Sequence, residues 1–275
     1  MGSPTSLNPQ AVRDSRRGDA PRLAPLTARV ADAGHGLFTG IAGASAGAAR
    51  SAYLALMLFA GGMARCATGR SRDGLPQLKR CLFRVAQVPV DLVLMLGGRV
   101  LSAVQVVTGL EPVGRRLTDA EVDRLRPIFG DSLDYRCVRV KEGALGLLGL
   151  PGRAFAHGDV LFIPPGYGAV GFRLLVHELT HVWQHQHGGT GYLSGALAAQ
   201  YLGDGYDWRK AVGHRRWAEL NPEQQAQFIE DAADAQLIPH VGRPTPQQRL
   251  RGWSDAALCL LDEALDCLYA GRGAP

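Results

Sequence analysis

The sequence is poor in several features that mark particular classes of protein. It has five cysteines among 275 residues and no Cys-x-x-Cys pair, which favours a reducing compartment over a disulfide framework. Its net charge of +5 comes mostly from scattered basic residues. The N-terminal arginines at 13, 16, 17 and 22 have no aromatic residues between them. We therefore expect no nucleic-acid partner.

The chain also lacks an early apolar segment that would indicate a signal peptide, because its first uncharged run follows a lead rich in Pro and Arg. Arg50 divides the uncharged stretch 37–64, and the apolar stretch 85–110 contains Asp91 and Arg99. A membrane-crossing helix needs about twenty apolar residues. We therefore expect soluble or membrane-touching helices in a cytoplasmic protein. Export without a signal peptide and association with a membrane stay open.

Composition divides the chain into three regions. Residues 1–35 contain four prolines and few large apolar groups, which predicts a disordered tail. Residues 36–112 predict an apolar helical accessory region rich in small residues, with a loop at 71–76. This region is either a module for docking or membrane contact, or a helical layer over the next domain. Residues 113–275 form the third region.

The third region predicts an α+β domain, with short strands before a central helix and further helices after it. Thr118 and Glu121 have the spacing of a capping box at the start of a helix. Asn221 before Pro222 indicates another helix start. The predicted elements, in order, are a helix from Thr118 to Phe129, a strand over 135–140, a hairpin of 154–156 and 160–163, the central helix ending at His187, a loop over 192–213, a helix from Asn221 and a last helix from Ser254.

The central helix contains the motif His-Glu-x-x-His at His177, Glu178 and His181. Two imidazoles four residues apart lie on one helical face and can share one Zn²⁺. The adjacent Glu178 is placed to take a proton from a zinc-bound water. The surrounding residues are apolar, and burying these polar groups without a partner would be costly. The sequence therefore predicts a zinc site.

A third protein ligand is needed, and two histidines farther along the same helix are candidates. His185 lies about 12 Å along the axis from the first histidine, too far to share one ion on a straight helix. His187 has the spacing found in metzincins. However, that class has a glycine where this chain has Gln184, and it uses a downstream Met-turn, whereas no Met follows Met95.

A glutamate on a second helix is the other source of the third ligand. Glu223 and Glu230 are seven residues apart and project from nearly one face, so the pattern alone leaves both open. Glu223 lies in a Glu-x-x-Ala string like that of minimal gluzincins. Glu230 with Asp234 is similar to the thermolysin type. We favour Glu223.

Four motifs together resemble a bacterial family of small, HELTH-type zinc metallopeptidase-like proteins associated with Vgr and Rhs proteins and contractile secretion systems. The motifs are Leu117–Glu121, Phe129–Val140, His177–Gln184 and Glu223–Ala226, and the resemblance spans about residues 115–235. It implies a zincin-like, gluzincin-like metallopeptidase domain at 113–275, with a short sheet, the motif helix and a glutamate helix. It also implies Zn²⁺ on His177, His181 and Glu223, and a Vgr/Rhs-type secretion partner.

These observations lead to three functional hypotheses. The first is hydrolysis of peptides or proteins with Glu178 as general base, where Tyr201, Tyr206 or His214 would stabilise the oxyanion. The second is a non-catalytic, zinc-stabilised structural or effector-associated protein that docks to a secretion apparatus or a membrane. The third is a membrane-active protein whose residues 37–110 insert into bilayers. The sequence does not name a substrate.

Overall fold

The computed structural model describes residues 23–166, 171–203, 205–238 and 253–275. These residues form a mostly helical structure with one small sheet. The helices are α1 (Leu26–Ala67), α2 (Ser71–Thr108), α3 (Asp119–Phe129), α4 (Phe172–His187), α5 (Tyr192–Leu202), α6 (Pro222–Asp234) and α7 (Asp255–Tyr269), and the strands are β1 (Arg139–Glu142), β2 (Phe155–His157) and β3 (Val160–Ile163).

The first two helices form a long antiparallel hairpin, in which Gly40 packs against Arg99 and Gly62 packs against Leu78. The prediction of a disordered tail is wrong for residues 26–35, which are helical and follow Pro25. Residues 1–22 lie outside the described residues. Packing along the two helices explains the difference, because it stabilises a helix start that composition alone does not reveal.

The loop predicted at 71–76 is also wrong, since these residues form the first turns of α2. The chain reverses just before them, where Gly69 has a φ of +78°. Gly74 is buried inside the hairpin, and a Cβ atom there would lie 2.6 Å from the carbonyl oxygen of Gly62. The glycine therefore permits close helix packing rather than ending a helix.

The three strands form a sheet in the order β1-β3-β2. Strand β2 is antiparallel to β3, which confirms the predicted hairpin, and Ala156 lies opposite Leu161. The strand predicted at 135–140 is displaced to Arg139–Glu142 and pairs in parallel with β3. Asp134 explains the shift, because its carboxylate accepts hydrogen bonds from the backbone and side chain of Arg136 and stabilises a turn.

The core lies between the sheet and helices α3, α4, α6 and α7, and Trp183, Trp217 and Phe228 are among its fully buried side chains. The capping box predicted at Thr118 and the helix start predicted at Asn221 are both confirmed. The loop predicted over 192–213 is wrong in its first half, which is helix α5. The apolar and small residues of α5 show little amphipathic pattern, because the helix contacts both α2 and α6.

The helical hairpin is joined to the rest of the chain through buried charges. Lys141 of β1 lies 2.9 Å from the Asp32 carboxylate on α1 and 2.5 Å from Glu111, and all three side chains are less than a tenth exposed. Asp91 and Arg99, which interrupt the apolar stretch in the sequence, are also buried. Asp91 accepts a hydrogen bond from Thr190, next to α5. These contacts unite the regions that composition separates near residue 112.

Helices α1 and α2 are each long and apolar enough to cross a membrane by length and composition. Core helices of soluble proteins can have the same length and composition.

We predict that Lys141→Met lowers the free energy of unfolding by about 3 kcal/mol, because it leaves two carboxylates buried without their cation. Denaturant unfolding measures the change. Arg136→Met is the matched control: its ion pair with Asp134 is exposed, so its removal leaves stability unchanged within error. Equal stability of both variants would show that the buried network does not join the hairpin to the sheet.

Candidate functional site

Helices α4 and α6 bring His177, His181 and Glu223 together at one buried point. The Oε2 atom of Glu223 lies 3.4 Å from Nε2 of His177 and 3.5 Å from Nε2 of His181. One ligand atom from each residue lies within 4.8 Å of the others. The four-residue spacing of the histidines along α4 therefore produces one compact donor cluster.

The outer nitrogen of each imidazole has its own hydrogen-bond partner. Nδ1 of His177 lies 3.1 Å from Oε2 of Glu230, and Nδ1 of His181 lies 2.8 Å from Oε1 of Gln184. A hydrogen bond at Nδ1 places the lone pair on Nε2 and fixes the orientation of the ring. Glu230 thus contacts the far side of His177, while Glu223 contacts the side that faces the cluster.

The Glu223 carboxylate is itself held in place. Gln200 donates a hydrogen bond of 2.5 Å to Oε1 of Glu223, and Tyr206 also hydrogen-bonds this carboxylate. The Oε2 atom is buried and lacks a hydrogen-bond partner among the described residues. One oxygen of Glu223 is therefore positioned by neighbours, and the other points toward the two imidazoles.

Glu178 lies beside this cluster and next to strand β2. Its carboxylate is buried and accepts a hydrogen bond from the backbone N–H of Ala156. Its Oε2 atom has no hydrogen-bond partner among the described residues. Burial raises the pKa of Glu178 above its ordinary value, so this carboxylate takes up a proton more readily than an exposed glutamate does.

The electrostatics of the metal-free cluster are those of a buried ion-pair network. Burial opposes the charge on His177, but Glu223 and Glu230 outweigh it and raise the pKa of His177 to about 10. Burial likewise opposes the charge on Glu223, but the two histidines lower the pKa of this carboxyl below its ordinary range. The network therefore keeps the imidazole of His177 protonated, and a bound cation would displace this proton.

The donor set fits a divalent cation that prefers nitrogen and oxygen ligands. Two imidazole nitrogens and one carboxylate oxygen are a recurrent set in three-ligand zinc sites. The unpartnered Oε2 of Glu223 supplies an anionic ligand between the two imidazoles. The cluster could therefore hold Zn²⁺ with a further coordination position left over.

The cluster opens onto a cleft of about 480 Å³. Strand β2 and helix α5 line part of the cleft, and Val93, Leu94 and Gly97 of α2 line another part. Most of its lining is apolar. The helical hairpin thus contributes to the cleft in addition to covering the domain.

The structure separates the remaining candidates of the sequence analysis. Tyr206 lies in the cleft, with its ring centroid 5.8 Å from that of His177, and Tyr201 lies at the cleft 71% exposed. His214 is exposed and does not line the cleft. His185 faces Asp159 and the hairpin, while Nε2 of His187 bonds the backbone of Ser132. Neither of these histidines joins the cluster.

Several residues of the site are absent from the predictions made from sequence. Gln184 lies three residues after His181, and this spacing on one helix is a signal that could have identified it. Gln200 and the residues of α2 in the cleft have no such signal. They come from segments distant in sequence that only the tertiary structure brings to the site.

Comparison with known proteins gives one partial relative. The chain is 35% identical over 130 residues to the type VI secretion system spike protein VgrG2b of Pseudomonas aeruginosa. The match covers 43% of this chain and 13% of that protein. No protein-family model matches the chain. No solved structure matches it either.

Proposed function

We propose that this chain is a zinc-dependent peptidase of zincin-like, gluzincin-like fold. The observation that carries the proposal is the cluster of His177, His181 and Glu223, which lies beside the buried Glu178 and opens onto a cleft. A zinc site that only stabilises a fold is closed by four protein ligands, whereas catalytic sites have three and an open position. The cleft therefore favours catalysis over the structural alternative.

Zn²⁺ held by the cluster would lower the pKa of water and polarise the scissile carbonyl group. Glu178 takes the proton from the water whose oxygen attacks the carbonyl carbon. It then gives this proton to the amine nitrogen as the C–N bond breaks. Tyr206 is the best-placed donor for the oxyanion, because it lies in the cleft beside His177, and its pKa, raised by burial to about 12, keeps it protonated. In this role its O–H turns from the Glu223 carboxylate to the oxyanion.

The lining of the cleft suggests the class of substrate. Apolar side chains from α2, β2 and α5 surround the approach to Glu178, among them Leu94, Phe155, Leu193 and Leu197. Burial of an apolar group against such a surface contributes about 25 cal/mol per Å² of area removed from water. We propose that the preferred peptides have a large apolar side chain next to the scissile bond.

The metal content of purified variants tests the cluster. We expect one zinc per chain in the wild type and loss of zinc in His177→Ala and Glu223→Ala, because each change removes a direct ligand. Glu230→Ala is the matched control on the same helix. It retains zinc with an affinity about 10- to 100-fold weaker, because it loses the contact that orients His177, and a partly exposed ion pair with Arg173, but no direct ligand. Mass spectrometry of the intact proteins measures the stoichiometry.

A different pattern would contradict the assignment. Zinc retained in Glu223→Ala and lost in Glu230→Ala would make Glu230 the ligand. A folded wild type without zinc after growth in zinc-supplemented medium would remove the basis of the peptidase proposal.

Glu178→Gln tests the chemistry separately from metal binding. We expect zinc content to stay at one per chain and kcat/KM on a quenched-fluorescent peptide library to fall by at least about 100-fold, because the amide cannot accept the proton. Glu142→Gln, a change at a partly exposed glutamate of β1, should leave cleavage unchanged. The same library reads the expected preference for large apolar residues. Zinc binding without any cleavage by the wild type would support the structural alternative instead.

We further propose that the chain works with a contractile secretion system. The similarity to the type VI spike protein supports this association, although the chain matches only a small part of that protein. We expect an epitope-tagged chain to appear in the culture medium of its bacterium when the contractile sheath is intact and to disappear from it when the sheath gene is deleted. Equal amounts in both strains would contradict the association.

A further inference from the structure

The helical hairpin has an unusual distribution of side-chain sizes. All seven buried residues of α1 are small: Ala33, Gly40, Ala44, Gly47, Ser51, Ala55 and Gly62. Most of the large apolar side chains of α1 are instead exposed, Phe38, Tyr53 and Phe59 among them. A helix pair that folds in water buries its large apolar residues along the contact. Small residues at the contact and large ones outside are typical of helices that pack in lipid.

The distal half of the hairpin, residues 52–83, shows this distribution most clearly. Among the described residues, the hydrogen bonds from the hairpin to the rest of the chain lie in the basal half, where Ser51 bonds Thr190, Arg50 bonds Gly188 and Gln87 bonds Ser194. At 1.5 Å per residue, α1 extends about 24 Å beyond Ser51. Nine large apolar side chains of this half are exposed: Tyr53, Leu54, Leu56, Met57, Phe59, Met63, Leu75, Leu82 and Phe83.

The same half has a strongly basic end. Arg65, Arg70, Arg72, Lys79 and Arg80 are exposed there, and Asp73 is the acidic residue of the segment. Basic side chains beside an exposed apolar surface match a bilayer with anionic headgroups, since the cations meet phosphates while the apolar groups enter the acyl layer. An apolar surface without basic residues at its edge would not prefer an anionic bilayer to a neutral one.

The positions of the charged residues favour binding at the surface over crossing. The uncharged stretch between Arg50 and Arg65 rises about 21 Å, which is shorter than the hydrocarbon core of about 30 Å. On α2, the buried Asp91 and Arg99 contact the rest of the chain and are unavailable for a bilayer. The distal half therefore has the dimensions of an interfacial element.

We propose that the distal half of the hairpin binds the surface of a bilayer that contains anionic lipids. Its nine apolar side chains lie among the upper acyl chains, and its five basic side chains lie at the lipid phosphates. Helix α2 also lines the cleft through Val93 and Leu94, so this binding places the cleft near the membrane surface. The proposal is independent of the peptidase activity.

Flotation of the purified full chain with lipid vesicles tests the proposal. We expect the chain to float with vesicles of phosphatidylcholine and phosphatidylglycerol and to bind much less to phosphatidylcholine alone. The double variant Leu56→Glu/Phe59→Glu should bind at least about 10-fold more weakly, because it removes apolar area and adds repulsion. Arg70→Glu/Arg72→Glu should also bind more weakly, with a smaller response to salt.

The matched control is Leu150→Glu, at a side chain that is 78% exposed outside the hairpin. It should bind like the wild type, and an unchanged thermal unfolding midpoint shows that each variant is folded. Binding by the wild type to neither kind of vesicle would overturn the proposal, as would equal binding by Leu56→Glu/Phe59→Glu. A dimer in vesicle-free solution that this variant dissociates would assign the surface to a second copy of the chain instead.

Discussion

The burial of charge between helices α4 and α6 is the constraint on which the site depends. The side chains of His177, His181, Glu178 and Glu223 are removed from water at this point, and each would be costly to bury alone. The structure compensates for this cost by pairing: Glu223 faces both histidines, and Glu230 and Gln184 bond their outer nitrogens. A cluster compensated in this way has fixed ring orientations before any cation binds, which is the preorganisation that a metal site needs.

The same principle explains how the hairpin is held. Lys141, Asp32 and Glu111 form a second buried charge cluster, and Asp91 is paired with Thr190 near α5. These groups require defined partners, so they determine how α1 and α2 lie on the domain. The hairpin consequently contributes Val93 and Leu94 to the cleft. A segment that composition marks as accessory is thus part of the lining of the cleft beside the donor cluster.

The hairpin has two different environments along its length. Its basal half contains the buried polar residues and contacts the domain, while its distal half exposes large apolar and basic side chains. Small residues along the helix contact allow close approach in both halves. This division reconciles the apolar composition of the hairpin with the charged residues in the middle of its sequence, because those residues are buried against the domain.

The sequence by itself determined the elements whose signals are local. The spacing of His177 and His181, the helix starts at Thr118 and Asn221, and the β2–β3 hairpin depend on neighbours a few residues apart. The seven-residue spacing of Glu223 and Glu230 left both open, and the resemblance favoured Glu223. The tertiary structure brings Glu223 to the inner nitrogens of both histidines and Glu230 to the outer nitrogen of His177. It likewise determined that 26–35 and 192–202 are helical and that α2 lines the cleft. Those features depend on packing between segments far apart in the chain, which local patterns do not encode.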